Sequence, residues 1–279
     1  MGELSPGGGF DLQAHRGGAG LAPENTLTAF AHALDLGVST LECDVHVSAD
    51  GVAVLSHERT YAGRIIPLLT YAELAQLHPP TLEPIPRLVD LVTLVRERRA
   101  EVGLNVETKF DVLHPDEGAP RERFVASVLA VLHDDVDLLR RSSVQSFDWS
   151  VLRMVREAEP RIALSALVRT DYLEVDQPGM SPWLGGLDID DFHDSVPAAV
   201  SALGFDIVSP SHTILTPAMV AEAHEAGLRV LPWTVDSVPM MRHLMTLDVD
   251  GMISNRPDLL RTVLEELGLP LPPPAPGLA

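Results

Sequence analysis

Short apolar runs and longer amphipathic segments alternate along the whole chain. The short runs predict β-strands, and segments with an apolar residue every three or four positions predict α-helices. A further run at 52–57 follows the turn Ala49-Asp50-Gly51 and predicts a hairpin-like extension of the second strand. The predicted strands cover 10–16, 40–47, 103–109, 142–147, 161–168, 206–209, 229–235 and 251–254. The predicted helices cover 25–36, 88–99, 121–133, 149–158, 190–203, 217–226, 237–247 and 257–267.

Eight strand-then-helix units are the number that a closed parallel barrel requires, so the expected α/β fold is a (β/α)8 TIM barrel. The length of 279 residues suits one domain of this kind. No change of composition marks an internal boundary, and we expect a single barrel over residues 10–268 after an N-terminal extension at 1–9. The tail at 269–279 is rich in proline, which predicts an extended or mobile end.

The charge of the chain limits the classes of partner. Forty acidic and 20 basic residues give a formal net charge of −20, which disfavours binding to nucleic acid or to an anionic membrane. A single cysteine, Cys43, forms no internal disulfide, and no apolar run of about 18 residues predicts a membrane span. The first residues show no signal peptide, so we expect a cytoplasmic protein, although a trimmed secreted form would look the same. The sequence does not define the oligomeric state.

Polar side chains gather near the carboxyl ends of the first predicted strands, where the loops of a parallel barrel converge. Residues two apart on a strand face the same side, which pairs Glu42 with Asp44. Cys43 between them is expected to face the layer of helices. The candidate site consists of His15, Arg16, Glu42, Asp44, His57, Glu107 and Lys109.

Three converging carboxylates repel one another, and a divalent cation would remove that repulsion. Ligation by oxygen alone suits Mg²⁺ or Ca²⁺, with Mn²⁺ as a further option, better than it suits zinc. A metal ion that faces Arg16 and Lys109 would form a cationic pocket for a phosphodiester. The two histidines would supply an acid and a base near neutral pH.

The ordered motifs around these residues resemble the glycerophosphodiester phosphodiesterase family. The resemblance extends over about residues 10–260. The chain departs from the family pattern at Glu58, where the family commonly has Asp after the second histidine. The resemblance implies a barrel of the PLC-like phosphodiesterase type that hydrolyses glycerophosphodiesters to sn-glycerol 3-phosphate and an alcohol. The motifs are Ala14-His15-Arg16-Gly17, Pro23-Glu24-Asn25-Thr26-Leu27, Ala29-Phe30, Leu41-Glu42-Cys43-Asp44-Val45, Asp50-Gly51, Val54-Leu55-Ser56-His57, Asn105-Val106-Glu107-Thr108-Lys109, Ser146-Phe147-Asp148, Trp233-Thr234-Val235-Asp236 and Asp250-Gly251-Met252-Ile253-Ser254-Asn255.

The resemblance also implies a role for each residue of the candidate site. Glu42, Asp44 and Glu107 would hold the metal ion. His15 and His57 would be the catalytic pair, but which one is the acid and which the base is left open. Arg16 and Lys109 would contact the phosphate. Trp233, at the end of the seventh predicted strand, is interpreted as an aromatic wall beside the glycerol or the leaving group.

Three neighbouring features receive secondary interpretations. Asn25 or Thr26 is expected to cap the first helix. His46 shares the parity of Glu42 and Asp44, and a place at the edge of the site or a supporting role is expected. Gln145 and Phe147, which share a parity on the fourth strand, are interpreted as lining the substrate side.

Two alternative functions are weighed against this hypothesis. A phospholipase D of the sphingomyelinase type, which would cleave lysophospholipids, looks similar around the histidines and the carboxylates. The single cysteine and the absence of a visible signal peptide oppose it. A non-catalytic barrel that binds phosphodiesters is the second alternative, and loss of a site residue would have indicated it. The head group of the substrate is left open because the stretch 173–194 matches no pattern well.

Overall fold

The computed structural model of the chain describes residues 9–77, 83–174 and 179–277. Eight parallel strands form the wall of a barrel in the order β10-β9-β8-β7-β6-β2-β1-β11, and a short β3 pairs antiparallel with β2. A separate hairpin is formed by β4 and β5. The strands are β1 (Asp11–Ala14), β2 (Thr40–Val47), β3 (Ala53–Leu55), β4 (Thr60–Tyr61), β5 (Arg64–Ile65), β6 (Gly103–Thr108), β7 (Ser143–Ser146), β8 (Ala163–Val168), β9 (Ile207–Pro210), β10 (Arg229–Val230) and β11 (Gly251–Ser254).

Backbone hydrogen bonds join the two ends of this strand order. The amide of Asp250 donates to the carbonyl of Val230 at 3.1 Å, and the amide of Ile253 donates to Pro232 at 3.0 Å. The amide of Val235 donates back to Ile253 at 3.0 Å. The segment after β10 therefore lies against β11 and completes the (β/α)8 TIM barrel, which confirms the predicted fold class.

Helices follow the barrel strands and bury their apolar faces against the outside of the sheet. The core between the two layers contains Leu41, Cys43 and Val45 from β2, so the expected orientation of Cys43 is confirmed. The helices are α1 (Leu27–Leu36), α2 (Tyr71–Ala75), α3 (Leu88–Glu97), α4 (Arg121–Leu132), α5 (Val136–Arg141), α6 (Trp149–Ala158), α7 (Thr170–Leu173), α8 (Val196–Ala202), α9 (Pro217–Glu225), α10 (Val238–Met245) and α11 (Pro257–Glu266).

Several predicted elements lose one to three residues in the structure, and two are much shorter than predicted. The regular strand expected over 229–235 ends at Val230, before Pro232, which has no amide hydrogen. The amides of Leu231 and Trp233 still donate to Val208 and Pro210 of β9. The helix expected over 190–203 is interrupted at His193 and Asp194, whose φ angles of 53° and 60° are left-handed. A 3-10 turn over Ile189–Phe192 precedes the break, and Ser195 caps α8 after it.

The proline-rich tail is extended and is held against the barrel as far as it is described. Arg98, which follows α3, donates to the carbonyl of Pro276 at 2.7 Å, and Arg261 of α11 donates to that of Pro272 at 2.7 Å. The amide of Ala275 donates to Leu34 of α1 at 2.9 Å. The extension predicted over 1–9 falls almost wholly outside the described residues. Within the described ranges, none of the helices has the length and the apolar character needed to cross a bilayer.

Candidate active site

The end of β1 turns sharply at the sequence His15-Arg16-Gly17. Arg16 has a φ of 52° and Gly17 a φ of 81°, both in the left-handed region. A Cβ atom on Gly17 would lie 2.9 Å from Cβ of Ala29, so glycine is needed for the turn to pack against α1. The turn directs the amide of Arg16 to Oε2 of Glu42, at 2.8 Å.

Glu42, Asp44 and Glu107 meet at the junction of β2 and β6. The two strands are parallel neighbours, and Asp44 lies opposite Glu107 in their register. One carboxylate oxygen from each of the three residues lies within 4.8 Å of the others. Glu42 and Asp44 are 0 % exposed and Glu107 is 5 % exposed. The structure therefore brings together the three residues that were predicted as metal ligands.

Two cationic side chains border these carboxylates. Nζ of Lys109 lies 3.0 Å from Oδ1 of Asp44 and 2.6 Å from Oε1 of Glu107. Nε of Arg16 lies 3.1 Å from Oδ2 of Asp44, and its Nη1 lies 2.8 Å from Glu24. Arg16 and Lys109, the two residues predicted to contact the phosphate, thus lie beside the carboxylates. A guanidinium has five N–H donors, so Arg16 has further donors available for a ligand.

Burial and mutual repulsion control the ionisation of the carboxylates. Burial raises the pKa of Glu42 well above its ordinary value, and the charges of Asp44 and Glu107 add to that rise. Burial, opposed by Lys109, raises the pKa of Glu107 to about 7. Burial acts in the same direction on Asp44, but Lys109 and Arg16 outweigh it and lower the pKa of that carboxyl. The site therefore resists full ionisation at neutral pH unless another cation binds.

A divalent cation fits this group of side chains. Lys109 and Arg16 balance two of the three carboxylates, so full ionisation leaves one negative charge without a partner in a buried place. The donor atoms are all carboxylate oxygens, which suit Mg²⁺ or Ca²⁺. A bound ion would offset the repulsion that raises the pKa of Glu42.

The imidazole of His15 lies at the edge of the three carboxylates. Its Nε2 is 3.9 Å from Oε2 of Glu42, and its Nδ1 is 2.7 Å from Oδ1 of Asn255. Burial, reinforced by Arg16, lowers the pKa of His15 to about 4. The imidazole of His15 thus lies directly beside the three buried carboxylates.

His57 follows β3, which pairs with the end of β2. The amide of Ser56 donates to the carbonyl of Asp44 at 3.1 Å, which fixes this segment beside the site. The side chain of His57 is one-third exposed and pairs with Glu58, Nδ1 to Oε1 at 2.8 Å. Nε2 of His46 lies 3.3 Å from the carbonyl oxygen of His57, in accord with the supporting role expected for His46.

Trp233 begins a row of half-buried aromatic rings at the end of β10. It contacts Phe147 edge to face with 5.5 Å between ring centroids, and Phe147 contacts Tyr172 in the same manner at 5.2 Å. Tyr172 is stacked on Trp183 at 3.9 Å. The structure places Trp233 in an aromatic surface that extends to the loop after β8, separate from the contacts among the carboxylates.

The sequence reasoning missed the polar side chains beneath the carboxylates. Gln145 is buried, and its amide donates to Oε1 of Glu42 at 2.9 Å; the expectation that it lines the substrate side was wrong. Nδ2 of Asn105 lies 2.9 Å from both Gln13 Oε1 and Gln145 Oε1. The period-two polar pattern Asn105/Glu107 and Ser143/Gln145 is the signal that could have revealed this interior.

Asn25 is a second supporting residue that was assigned a different role. Its amide donates to Oδ2 of Asp44 at 2.9 Å, and its Oδ1 accepts from the amide of Asp44 at 3.2 Å. The cap of α1 is Thr26, whose hydroxyl accepts from the amide of Ala29. Asn25 therefore orients a predicted ligand, while its neighbour begins the helix.

Comparison with known proteins identifies the family. Residues 15–259 match the model of the glycerophosphoryl diester phosphodiesterase family. The chain belongs to this family. A glycerophosphodiester phosphodiesterase from Caldanaerobacter subterraneus subsp. tengcongensis is 24% identical over 267 residues, which cover 91% of this chain and 98% of that protein.

Solved structures share the fold of this chain. A crystal structure from Silicibacter pomeroyi DSS-3, assigned as a glycerophosphoryl diester phosphodiesterase, has a TM-score of 0.78 at 31% identity and covers 95% of this chain and 97% of its own. A phosphodiesterase from Oleispira antarctica, in complex with the product sn-glycerol-3-phosphate, has a TM-score of 0.71 at 21% identity over 91% and 96% of the two chains. As a family member the chain is a phosphodiester hydrolase, which sets aside the hypothesis of a non-catalytic barrel.

Proposed function

We propose that the protein hydrolyses glycerophosphodiesters to sn-glycerol 3-phosphate and an alcohol, with a divalent cation and two histidines. The observation that carries the proposal is the buried group of Glu42, Asp44 and Glu107 beside His15. The product named for the Oleispira antarctica relative, sn-glycerol-3-phosphate, supports the choice of substrate class. The same family membership favours this substrate over the lysophospholipids of the sphingomyelinase-type alternative.

Glu42, Asp44 and Glu107 are the residues that would hold the cation, either Mg²⁺ or Ca²⁺, with Mn²⁺ as a third option. When bound, it supplies positive charge for the phosphoryl oxygens and a fixed point for orienting the diester. Gln145 and Asn25 keep Glu42 and Asp44 in position through the hydrogen bonds described above.

The remaining roles fall to groups of the chain itself. Arg16 and Lys109 bind the phosphoryl oxygens and stabilise the charge that builds on them. One histidine takes the proton of the attacking hydroxyl, either water or the glycerol 2-hydroxyl, and the other gives a proton to the leaving oxygen. Trp233 forms the apolar side of the pocket next to the glycerol or the leaving group.

The decisive experiment removes the cation with a chelator and follows glycerol phosphate release from glycerophosphocholine after Mg²⁺, Ca²⁺ or Mn²⁺ is restored. The variants are His15→Ala, His57→Ala and Glu42→Ala, with His32→Ala as the matched control because His32 is exposed on α1. We expect turnover that requires the cation and falls by about 10²–10⁴-fold in each histidine variant. Circular dichroism confirms that each variant is folded.

Turnover that is indifferent to the chelator would contradict the role of the cation. Turnover that survives loss of His15 and of His57 would contradict acid–base catalysis by this pair. Release of the alcohol together with a free phosphate, rather than glycerol phosphate, would contradict the proposed products.

A further inference from the structure

The chain beyond β8, β9 and β10 places a second set of side chains at the mouth of the barrel, of which the proposed mechanism uses only Trp233. Val168 pairs with Pro210 in the register of β8 with β9, and Ser211 pairs with Trp233. The amide of Ser211 donates to the carbonyl of Val168 at 2.8 Å, so Ser211 lies beside Arg169. Arg169, Ser211 and Trp233 therefore form a row across three neighbouring segments of the wall.

The side chains of this row face the inside of the barrel. Ala163, Ile207 and Leu231 of the same three segments form an apolar cluster in the barrel interior. Val168 packs instead in the core between the sheet and the helices. Arg169 keeps an extended backbone, with a φ of −142°, and successive residues of an extended chain face opposite sides. The row shares the parity of the interior cluster, so its side chains point into the mouth.

The guanidinium of Arg169 is held in place by an aromatic stack. Its Cζ lies 5.0 Å from the ring centroid of Tyr172, and Tyr172 is stacked on Trp183 at 3.9 Å. Nε donates to Oδ1 of Asp171 at 2.5 Å. Nη1 and Nη2 carry the other four N–H donors of the group, and the side chain is 46 % exposed. A ligand at the mouth can therefore reach a cation that the protein already holds in position.

Two hydroxyl groups lie next to this cation. Oγ of Ser211 is 2.8 Å from Oγ1 of Thr213. The pair has two hydroxyl hydrogens and uses one for their mutual hydrogen bond, so the other can be donated to a ligand. A guanidinium with neighbouring hydroxyl donors suits a phosphate group, which presents several acceptor oxygens. In a chain of net charge −20, such a donor set favours an anion at one local place.

The row lies farther out along the barrel than the phosphate that is cleaved. Glu107 is level with Gln145, and Gln145 is level with Ser165, in the registers of β6, β7 and β8. Arg169 comes four residues after Ser165, which corresponds to roughly 13 Å of extended strand at about 3.3 Å per residue. The cleaved phosphate belongs beside Glu107 and Lys109, so Arg169 faces a different part of the substrate.

We propose that Arg169, together with the hydroxyls of Ser211 and Thr213, binds a second phosphate carried by the leaving alcohol. The inference rests on the proposed function and names a preferred substrate class, glycerophosphodiesters whose head group is itself phosphorylated. Trp233 then packs against the part of the head group between the two phosphates. Arg169 determines specificity and takes no part in the proton transfers, so the bond that breaks is unchanged.

A pair of substrates that differ by one phosphate tests this subsite. The full chain, with the cation restored, is assayed on glycerophosphoinositol 4-phosphate and on glycerophosphoinositol. Hydrogen bonds to a charged group contribute about 10- to 100-fold in affinity, so we expect kcat/KM of the wild type to favour the phosphorylated substrate by that factor. Arg169→Gln should remove most of this preference, mainly by raising KM for the phosphorylated substrate.

Arg140→Gln is the matched control for the loss of one positive charge. Arg140 is exposed on α5 near the start of β7, at the end of the barrel opposite to the mouth. In this variant the ratio of the two kcat/KM values should keep its wild-type value. If circular dichroism shows that Arg169→Gln is not folded, Ser211→Ala replaces it and should lower the ratio as well; an unchanged ratio there overturns the subsite.

Binding measured without turnover separates the subsite from the reaction. Calorimetric titration of both compounds into His15→Ala, with and without Arg169→Gln, should show the same loss of preference. Equal affinities of the two compounds for His15→Ala, or a wild-type ratio of kcat/KM in Arg169→Gln, overturn the subsite. A fall in kcat/KM by the same factor for both substrates also overturns it, since Arg169 would then only support its loop. Preferential binding without turnover supports the subsite and contradicts the proposed reaction.

Discussion

Glu42 is fully buried, and both of its carboxylate oxygens accept a hydrogen bond from the protein. Oε1 accepts from Gln145 and Oε2 from the backbone amide of Arg16. Gln145 in turn accepts from Asn105, so the orientation of the carboxylate depends on side chains from β6 and β7. A predicted ligand at this position is therefore held by neighbours on other strands.

Replacing Gln145 by methionine tests this support. Gln145→Met keeps the volume but leaves Oε1 of Glu42 without its donor and Asn105 with one acceptor fewer. Because unpaired buried polar groups are costly, we expect a loss of about 1–3 kcal/mol in the free energy of unfolding, measured by urea denaturation. Gln76→Met is the matched control, since Gln76 is exposed after α2, and should remain within about 0.5 kcal/mol of the wild type. Equal stability of the two variants would contradict the supporting role.

Strands and helices of regular length were the elements that the sequence predicted well. The pattern placed β2 at Thr40–Val47, β11 at Gly251–Ser254 and α6 at Trp149–Ala158, with the bounds that the structure shows. It missed α2 and α5, whose five and six residues are too short to display a helical period.

The same contrast holds for the candidate site, where features within one strand could be predicted and contacts between distant strands could not. The pair Glu42 and Asp44 could be predicted because its spacing lies within one strand. The contact of His15 with Asn255 joins residues 240 positions apart and depends on the register of β1 with β11. The spacing of residues in the sequence does not give the register between two strands. The contact of Asn255 with His15 could therefore be identified only in the structure.

The link between α4 and α6 predicts a pH dependence of stability. Glu159 follows α6, and hydrogen bonds from Arg161, with a further one from His133 after α4, lower its pKa from 4.5 to about 2. The carboxylate of Glu159 therefore binds a proton less readily in the native state than in the unfolded state. The stabilisation that its hydrogen bonds contribute is complete above about pH 5 and is lost toward about pH 2. We expect Glu159→Gln to be less stable than the wild type at neutral pH, by an amount that shrinks on acidification. Urea denaturation midpoints of the two proteins across this pH range measure the difference in stability. A difference that does not change with pH would contradict the lowered pKa of Glu159.

The whole molecule carries a net charge of −20, yet Arg16 and Lys109 border the site. The general field repels anions, so the proposed mechanism requires these cations, together with a bound metal ion, to attract a phosphodiester over a short distance. The chain thus combines an acidic surface with a local place for an anionic substrate. A cytoplasmic location stays a prediction from the sequence.

Repulsion among the acidic residues predicts a response to salt. Raising NaCl from about 0.01 M to about 0.15 M shortens the Debye length from about 30 Å to about 8 Å and screens this repulsion. Exposed ion pairs weaken as well, but each contributes little. We therefore expect the thermal midpoint to rise by a few degrees, as measured by differential scanning calorimetry, with KCl giving the same result. A midpoint that falls with either salt would show that ion pairs dominate.

The pairing of β1 with β11 has a consequence for folding during synthesis on the ribosome. Asp11 pairs with Gly251, so the first strand emerges 240 residues before its partner exists. At a synthesis rate of about 5–20 residues per second, the delay is on the order of 12–48 seconds. Throughout that time one edge of β1 has unpaired backbone groups that can pair with another nascent chain. Slow translation of the last strands would prolong this vulnerable period.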